Sequence, residues 1–213
     1  MMEMLPPILQ QESSHNICLV VEGFEEYYYF NRILDFPCFN RAYNVALRNA
    51  KTASSIPVIY QAEYAKNYYE VIFAVCDKDR KPKQYQNIIS KLDGILGSGK
   101  AKEIVIFTSP CTLQVILSHF GDVYLTAQAK KAAQGEVERL TSVKNYDAHS
   151  DQLNEICNKI FYRSYEEMKN RVAGLSTCPD DLPSTNMLSL FGYFESQDAQ
   201  WIADINKRLS EDN

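Results

Sequence analysis

Apolar and polar positions alternate in blocks over the first 120 residues. Three stretches, 17–21, 70–76 and 103–107, are almost wholly apolar and are bounded by turn or charged residues, a pattern typical of buried strands. Residues 43–47 alternate between apolar and polar side chains, which predicts a strand that is less buried. Four strands are therefore expected in this half of the chain.

Helical spacing of apolar residues fills the gaps between these strands. The predicted helices span about 25–34, 85–96 and 113–120. The pattern does not decide the secondary structure of residues 51–69. A short edge strand or a loop fits 56–60, and a helix fits 63–69. Strands that alternate with helices predict an α/β fold, with a parallel-rich sheet, right-handed crossovers and helices on its faces.

From Tyr124 onward the pattern is helical. The predicted helices are 125–140, 152–172 and 198–209, with a proline-punctuated segment at 178–183. We therefore divide the chain into a flexible N-terminal arm (1–16), an α/β core (17–122) and a helical C-terminal region (123–213). The C-terminal region is expected to pack on the core or to carry a partner surface.

Composition narrows the functional classes. The chain is 46% hydrophobic and 23% charged, enough apolar material for a substantial core. Its net charge of −5 arises entirely within residues 101–213, so nucleic acid can be bound only through a local basic patch. Six cysteines without CxxC spacing, no secretory signal and no apolar run of membrane length indicate a reduced, cytoplasmic protein outside the membrane.

Carboxylates follow two of the predicted strands. Glu22 comes directly after 17–21, Asp77 and Asp79 come after 70–76, and Glu26 faces the sheet from the first turn of the next helix. Mg²⁺ and Mn²⁺ prefer such oxygen ligands, and they activate water for attack on a phosphodiester. We predict Glu22, Asp77 and Asp79 as metal ligands, and these three with Glu26 as catalytic residues. The alternative is a set of ordinary surface carboxylates.

Two further stretches bear on phosphate binding. Lys78, Arg80 and Lys81 adjoin the second acidic strand end and would hold phosphates there. Such a basic run by itself is more often a solvated turn, and it is the neighbouring Asp pair that favours phosphate binding. Residues 94–100 have the glycines and lysine of a phosphate-binding loop, but a helix precedes them and Ala101 replaces the hydroxyl residue that binds Mg²⁺. We interpret 94–100 as the turn that ends a helix.

These motifs, in this order, resemble the Toprim domain, with a Glu after the first strand and Asp-x-Asp after a later one. The closer resemblance is to its RloB-like branch and, more loosely, to OLD-family and AriB-type defence proteins. The RloB-like pattern E-G-x-x-E-x-x-Y-F is matched by Glu22, Gly23, Glu26, Tyr29 and Phe30. A later pattern, S-N-P-C-F-E-x-W-x-L-L-H-F, aligns with 108–120 and is kept at Pro110, Cys111, Leu117, His119 and Phe120.

The resemblance, which covers 17–120, implies a metal-dependent nuclease of bacterial anti-phage defence that cuts DNA or RNA, tRNA included. In that function Glu22 is the general acid/base or a metal-proximal carboxylate, and Lys78 or Arg80 steadies phosphate. The sequence departs from the pattern where Leu113 replaces a Glu and Val115 a Trp. An inactive Toprim-derived module that binds a partner, such as a defence ATPase, is therefore the alternative, and a homo-oligomer is compatible with both.

Overall fold

The computed structural model describes residues 14–78, 82–126 and 130–211. Its strands form one five-stranded sheet in the order β2-β1-β3-β4-β5, in which the first four are parallel and β5 pairs antiparallel with β4. The strands are β1 (His15–Val21), β2 (Tyr43–Asn49), β3 (Val71–Asp77), β4 (Val105–Ser109) and β5 (Ser184–Thr185). The predicted α/β fold with a parallel-rich sheet is confirmed.

Helices connect the strands and cover the sheet. They are α1 (Phe24–Ile33), α2 (Ile56–Tyr64), α3 (Pro82–Leu96), α4 (Leu113–Ser118), α5 (Lys130–Thr141), α6 (Ser150–Asn158), α7 (Tyr162–Val172), α8 (Met187–Glu195) and α9 (Gln200–Ser210). The chain leaves β1 toward β2 through α1 and returns across the sheet through α2 and α3. Because crossovers are right-handed, α2 and α3 lie together on the face opposite α1.

The two most apolar stretches form the two central strands. All side chains of 17–21 in β1 and of 71–76 in β3 are buried, and Ile17 pairs with Val71 at the start of their shared register. Strands buried on both faces read as continuous apolar runs, which is why the sequence predicted them well. β2 lies at the edge, which explains its weaker pattern.

The ambiguous segment after β2 is a helix, so neither an edge strand nor a loop at 56–60 is correct. Ile56, Tyr60 and Glu63 recur at helical spacing and are buried, and Pro57 lies in the first turn, where its missing N–H costs nothing. The helix ends at Tyr64, so the helix predicted at 63–69 is also wrong. A proline within an apolar run argues against a helix interior, but Pro57 lies at the start of α2, where proline is tolerated.

The C-terminal region is helical, as predicted, but its elements differ. The single helix predicted at 152–172 is two helices, α6 and α7, with Phe161 at the N-cap of the second. Residues 125 and 126 are not helical, and α5 extends from Lys130, so the predicted start at 125 was too early; residues 127–129 lie outside the described part. Both β5 and α8 were missed, since a two-residue strand and a helix buried among other elements leave little periodic signal.

Aromatic side chains join the C-terminal helices to the core. The Phe191 ring of α8 lies 6.4 Å from the rings of Tyr29 and Phe30 on α1, and 5.6 Å from that of Tyr165 on α7. Rings at such separations in edge-to-face arrangements stabilise a core beyond the area they bury. Within the described ranges, no helix is long and apolar enough to cross a membrane.

The glycine-rich stretch 94–100 ends α3, as the sequence predicted. Gly97 has a φ of +110° and Gly99 a φ of +75°, conformations that suit glycine at a helix C-terminus. The Lys100 ammonium donates to the Leu209 carbonyl at 2.6 Å. This lysine therefore ties α9 to the turn, and the phosphate-loop alternative is excluded.

Candidate metal centre

The candidate centre lies where the chain reverses direction across the sheet. From β1 the first crossover runs to β2 on one side, while β3 lies on the other, so the carboxyl ends of β1 and β3 border the point at which α/β sheets bind ligands. Glu22 follows β1 and Asp77 ends β3. The Asp77 amide donates to Glu22 Oε2 at 3.1 Å. The structure therefore brings the two predicted residues into contact.

Asp77 is held in place by the segment that follows β4. Its Oδ1 accepts hydrogen bonds from the Thr112 amide at 2.8 Å and from the Thr112 hydroxyl at 3.0 Å. Thr112 is fully buried and precedes α4, so its position is set by the sheet and the helix together. Two donors on one oxygen fix the carboxylate plane and leave its direction little freedom.

Three donor groups converge beside this carboxylate. One ligand atom each of Glu25, Asp77 and Cys111 lies within 4.8 Å of the other two, and all three residues are half-buried. The Tyr146 hydroxyl donates to Glu25 Oε1 at 2.8 Å, which orients that side chain. Two hard oxygens and one softer sulfur form a donor set that accepts a divalent cation without selecting one metal.

Like charges dominate the electrostatics of the site. Burial raises the pKa of Asp77 well above its ordinary value, and the neighbouring carboxylates of Glu26, Glu25 and Glu22 raise that pKa further. The hydrogen bond from the Thr112 amide opposes them. A cation bound here would favour the ionised carboxylates and relieve their mutual repulsion.

Cys111 is unsuited to act as a free thiolate nucleophile. Burial raises the pKa of its thiol well above the ordinary value, and Glu25 and Asp77 add to the shift, more than the hydrogen bond from the Leu113 amide offsets. A nucleophilic cysteine needs positive surroundings that lower its pKa. Its place among carboxylates instead makes it a donor that would ionise when a metal binds.

Glu26 has a local structural role in addition to its charge. Its Oε2 accepts the Gly23 amide at 2.9 Å, and the side chain is 2% exposed at the start of α1. A carboxylate at this position satisfies an amide that the helix itself leaves unpaired. Asp79, the remaining predicted ligand, lies outside the described residues.

Lys78, predicted to steady phosphate, contacts the C-terminal region. Its ammonium donates to the Pro179 carbonyl and to Asp180 Oδ1, the latter at 2.6 Å, and the side chain is only 10% exposed. It also lies 5.9 Å from the centre of the Tyr85 ring. The structure therefore directs this lysine to residues 179 and 180, whereas Arg80 and Lys81 lie outside the described residues.

Sequence reasoning missed the contributions of Glu25, Cys111 and Thr112 to this centre. Glu25 had no predicted part in the site. A signal for the other two was present, because residues 110–112 directly follow β4, whose carboxyl end adjoins that of β3. Any polar residue that directly follows β4 is therefore a candidate member of a site at the carboxyl ends of these strands.

The rest of the segment aligned with the RloB-like pattern packs in the core. Leu113 is 2% exposed and offers no ligand. His119 Nε2 lies 2.9 Å from the Tyr29 hydroxyl and its Nδ1 lies 3.1 Å from Ser164 Oγ. Burial, assisted by the charge of Arg171, lowers the pKa of His119 to about 3, so the ring is neutral. It is a hydrogen-bonded core residue.

We compared the chain with protein-family models, with curated proteins and with solved structures, and no match was found in any of the three comparisons. The resemblance to Toprim proteins thus rests on the short motifs given above.

Proposed function

We propose that this protein is a divalent-metal-dependent nuclease that hydrolyses phosphodiester bonds of DNA or RNA at the carboxylate cluster. The observation that carries the proposal is the convergence of Glu25, Asp77 and Cys111 at the carboxyl end of the sheet, with Glu22 bonded to the Asp77 amide beside them. Carboxylates are costly to bring together unless a cation joins them. The position is also the one where parallel sheets bind their ligands.

Each side chain has a proposed part in the reaction. Asp77 and Glu25 would hold the cation, while Thr112 and Tyr146 keep their oxygens oriented. Glu22, which accepts a hydrogen bond from the Asp77 amide, is the proposed base that takes a proton from the attacking water. The water oxygen bonds to phosphorus, the P–O ester bond breaks, and the leaving oxygen takes a proton from solvent. The cation supplies charge neutralisation at the phosphodiester and a more acidic water.

Mg²⁺ or Mn²⁺ is the proposed metal. Both suit carboxylate ligands, as predicted from the sequence. The thiol of Cys111 within 4.8 Å of both carboxylates adds a softer donor. Mn²⁺, the softer of the two cations, is therefore expected to bind more tightly.

A second candidate function is that of a catalytically inactive module in a defence system, bound to a partner such as an ATPase. Leu113 favours it, because the RloB-like pattern has a Glu at this position and the buried leucine provides no carboxylate. The ion pair of Lys78 with Asp180 also favours this function, because a lysine engaged by a carboxylate is less available to bind a phosphate.

Metal binding and cleavage can be tested with one set of variants. We expect Mn²⁺ to raise the melting temperature of the wild type and to support cleavage of DNA or RNA. Asp77→Asn and Glu25→Gln should lose the thermal shift and lower cleavage at least about a hundredfold. The control is Glu70→Gln, because Glu70 pairs with His15 at the amino ends of β1 and β3, opposite the candidate centre; it should behave as wild type.

Two outcomes would contradict the proposal. Undiminished cleavage by folded Asp77→Asn protein would place the reaction elsewhere. A wild type that binds neither Mn²⁺ nor Mg²⁺ and cleaves no nucleic acid would favour the partner-binding module instead.

A further inference from the structure

An exposed phenyl ring stands beside the carboxylate cluster. Phe24 is the first residue of α1, directly before Glu25, and 48% of it is exposed. Phe24 lies between Glu22 and Glu25 in the chain, so it occupies the same end of the sheet as the cluster, and side chains at a helix start tilt toward the helix N-terminus. A phenyl group offers a ligand only stacking or apolar contact.

The ring is held in position from behind. Tyr28, one turn further along α1, stacks on Phe24 with the ring centres 6.0 Å apart and the planes at 26°. Tyr27 in turn meets Tyr28 edge-on at 5.9 Å. A ring supported in this way loses little freedom when a planar group stacks on its open face, which lowers the cost of binding.

A second exposed ring belongs to a loop tied to the same centre. Tyr124 is 68% exposed, while its neighbours Val123 and Leu125 are buried. The Gln114 side chain donates to the Val123 carbonyl and accepts the Leu125 amide, both at 2.8 Å. Gln114 lies two residues beyond Thr112, which holds Asp77, so the loop is anchored to the segment that builds the site.

We infer that Phe24 and Tyr124 stack on unpaired nucleobases, and that the substrate of this centre is therefore single-stranded nucleic acid. The inference rests on the proposed nuclease function and deepens it. Every base presents a π-face to an aromatic side chain, but in a duplex that face is already stacked on the neighbouring base pair. Stacking also suits an acidic site, because it adds affinity without the basic residues that would compete for the carboxylates.

Cleavage of matched substrates tests the inference. A short mixed-sequence oligonucleotide, as DNA and as RNA, is offered with Mn²⁺ either alone or annealed to its complement. We expect the wild type to prefer the single strand, and Phe24→Ala to lower kcat/KM on it by about tenfold. Phe24→Trp should retain the wild-type rate. The control is Phe161→Ala, which removes another exposed ring, 63% exposed, at the start of α7.

Binding separates a failure of this inference from a failure of the proposed function. If the wild type cleaves nothing, the nuclease proposal fails, and quenching of a 2-aminopurine-labelled single strand decides the inference by itself. Quenching that is lost in Phe24→Ala but kept in Phe161→Ala supports base stacking. Equal cleavage or equal quenching by wild type and Phe24→Ala, or a wild type that prefers the duplex, overturns it.

Discussion

Two carboxylates of this protein lie in surroundings of opposite charge. Glu63 on α2, 7% exposed in its side chain, accepts hydrogen bonds from Lys66 at 2.8 Å and Arg48 at 3.1 Å. Its pKa is lowered, chiefly by the hydrogen bond from Lys66 and against the effect of burial. Asp77 has carboxylates as its charged neighbours, and its pKa is raised.

The comparison separates a carboxylate that is stabilised by cations of the chain from one that is repelled by its neighbours. Removal from water disfavours the ionised form in both, and the sign of the neighbouring charges decides the outcome. The cations beside Glu63 belong to the chain, so folding alone stabilises its charge. The repulsion around Asp77 is a cost to folding that a bound cation would remove, and strain of this kind is characteristic of functional sites.

The largest effect on stability is expected when the charge of Glu63 is removed. Glu63→Gln leaves Lys66 and Arg48 without their anionic partner and should lower the free energy of unfolding by about 2 kcal/mol, a moderate value because both cations are largely exposed. Urea denaturation at neutral pH measures it. Glu136→Gln, which breaks the exposed pair with Arg139, should stay within about 0.5 kcal/mol of the wild type.

Asp77→Asn should change the free energy of unfolding in the opposite direction. In metal-free protein at neutral pH we expect the variant to be more stable than the wild type by about 1 kcal/mol, because it removes a charge repelled by Glu22, Glu25 and Glu26. Asn can still accept both hydrogen bonds from Thr112. Urea denaturation in the presence of a chelator checks this, and a destabilised variant at every pH would contradict it.

The pH dependence distinguishes the two carboxylates further. Because the pKa of Asp77 is raised in the folded state, the wild type loses stability as the pH rises from the ordinary Asp value of about 4 toward the raised pKa. The greater stability of Asp77→Asn should therefore develop over that pH range and persist above it. Glu63 has a lowered pKa, and its contribution is present above its ordinary value and is lost as the pH falls. The deficit of Glu63→Gln should therefore shrink in acid.

The smallest effect is expected from the residue that orients Asp77. Thr112→Val removes one of the two hydrogen bonds to Oδ1 and keeps the backbone amide that makes the other. We expect a loss of about 0.5–1 kcal/mol in stability and a several-fold weaker affinity for Mn²⁺, measured by calorimetric titration. An affinity equal to that of the wild type would show that the hydroxyl has no part in positioning the carboxylate.

Much of the fold was accessible from the sequence, since buried parallel strands carry a strong local signal. β1 and β3 were predicted within two residues, and so was the helix that follows β1. The errors lie where tertiary packing replaces periodicity. α8 (MLSLFGYFE) is apolar at nearly every position, so it has little polar face from which to recognise a helix, and its Phe191 packs on rings of α1 and α7.

The candidate site was predicted in part for a related reason. Glu22 and Asp77 were identified because each follows a strand, which is a local property. Glu25 and Cys111 join Asp77 only because β4 lies beside β3 and brings the residues that follow it to the same edge. The contact of Lys78 with Asp180 was not predicted, because the two residues are 102 positions apart in sequence.

By itself the sequence determined where strands and helices form and that acidic residues follow the central strands, since side-chain period and chain order decide both. Only the tertiary structure decided which charges from distant parts of the chain surround each carboxylate. The field at a residue depends on groups within a few ångströms in space, and strand order and crossovers bring those groups from distant parts of the chain. Arg48 of β2 reaches Glu63 in this way, whereas Lys66 is only three residues away in sequence; Asp77 receives three carboxylates and a thiol.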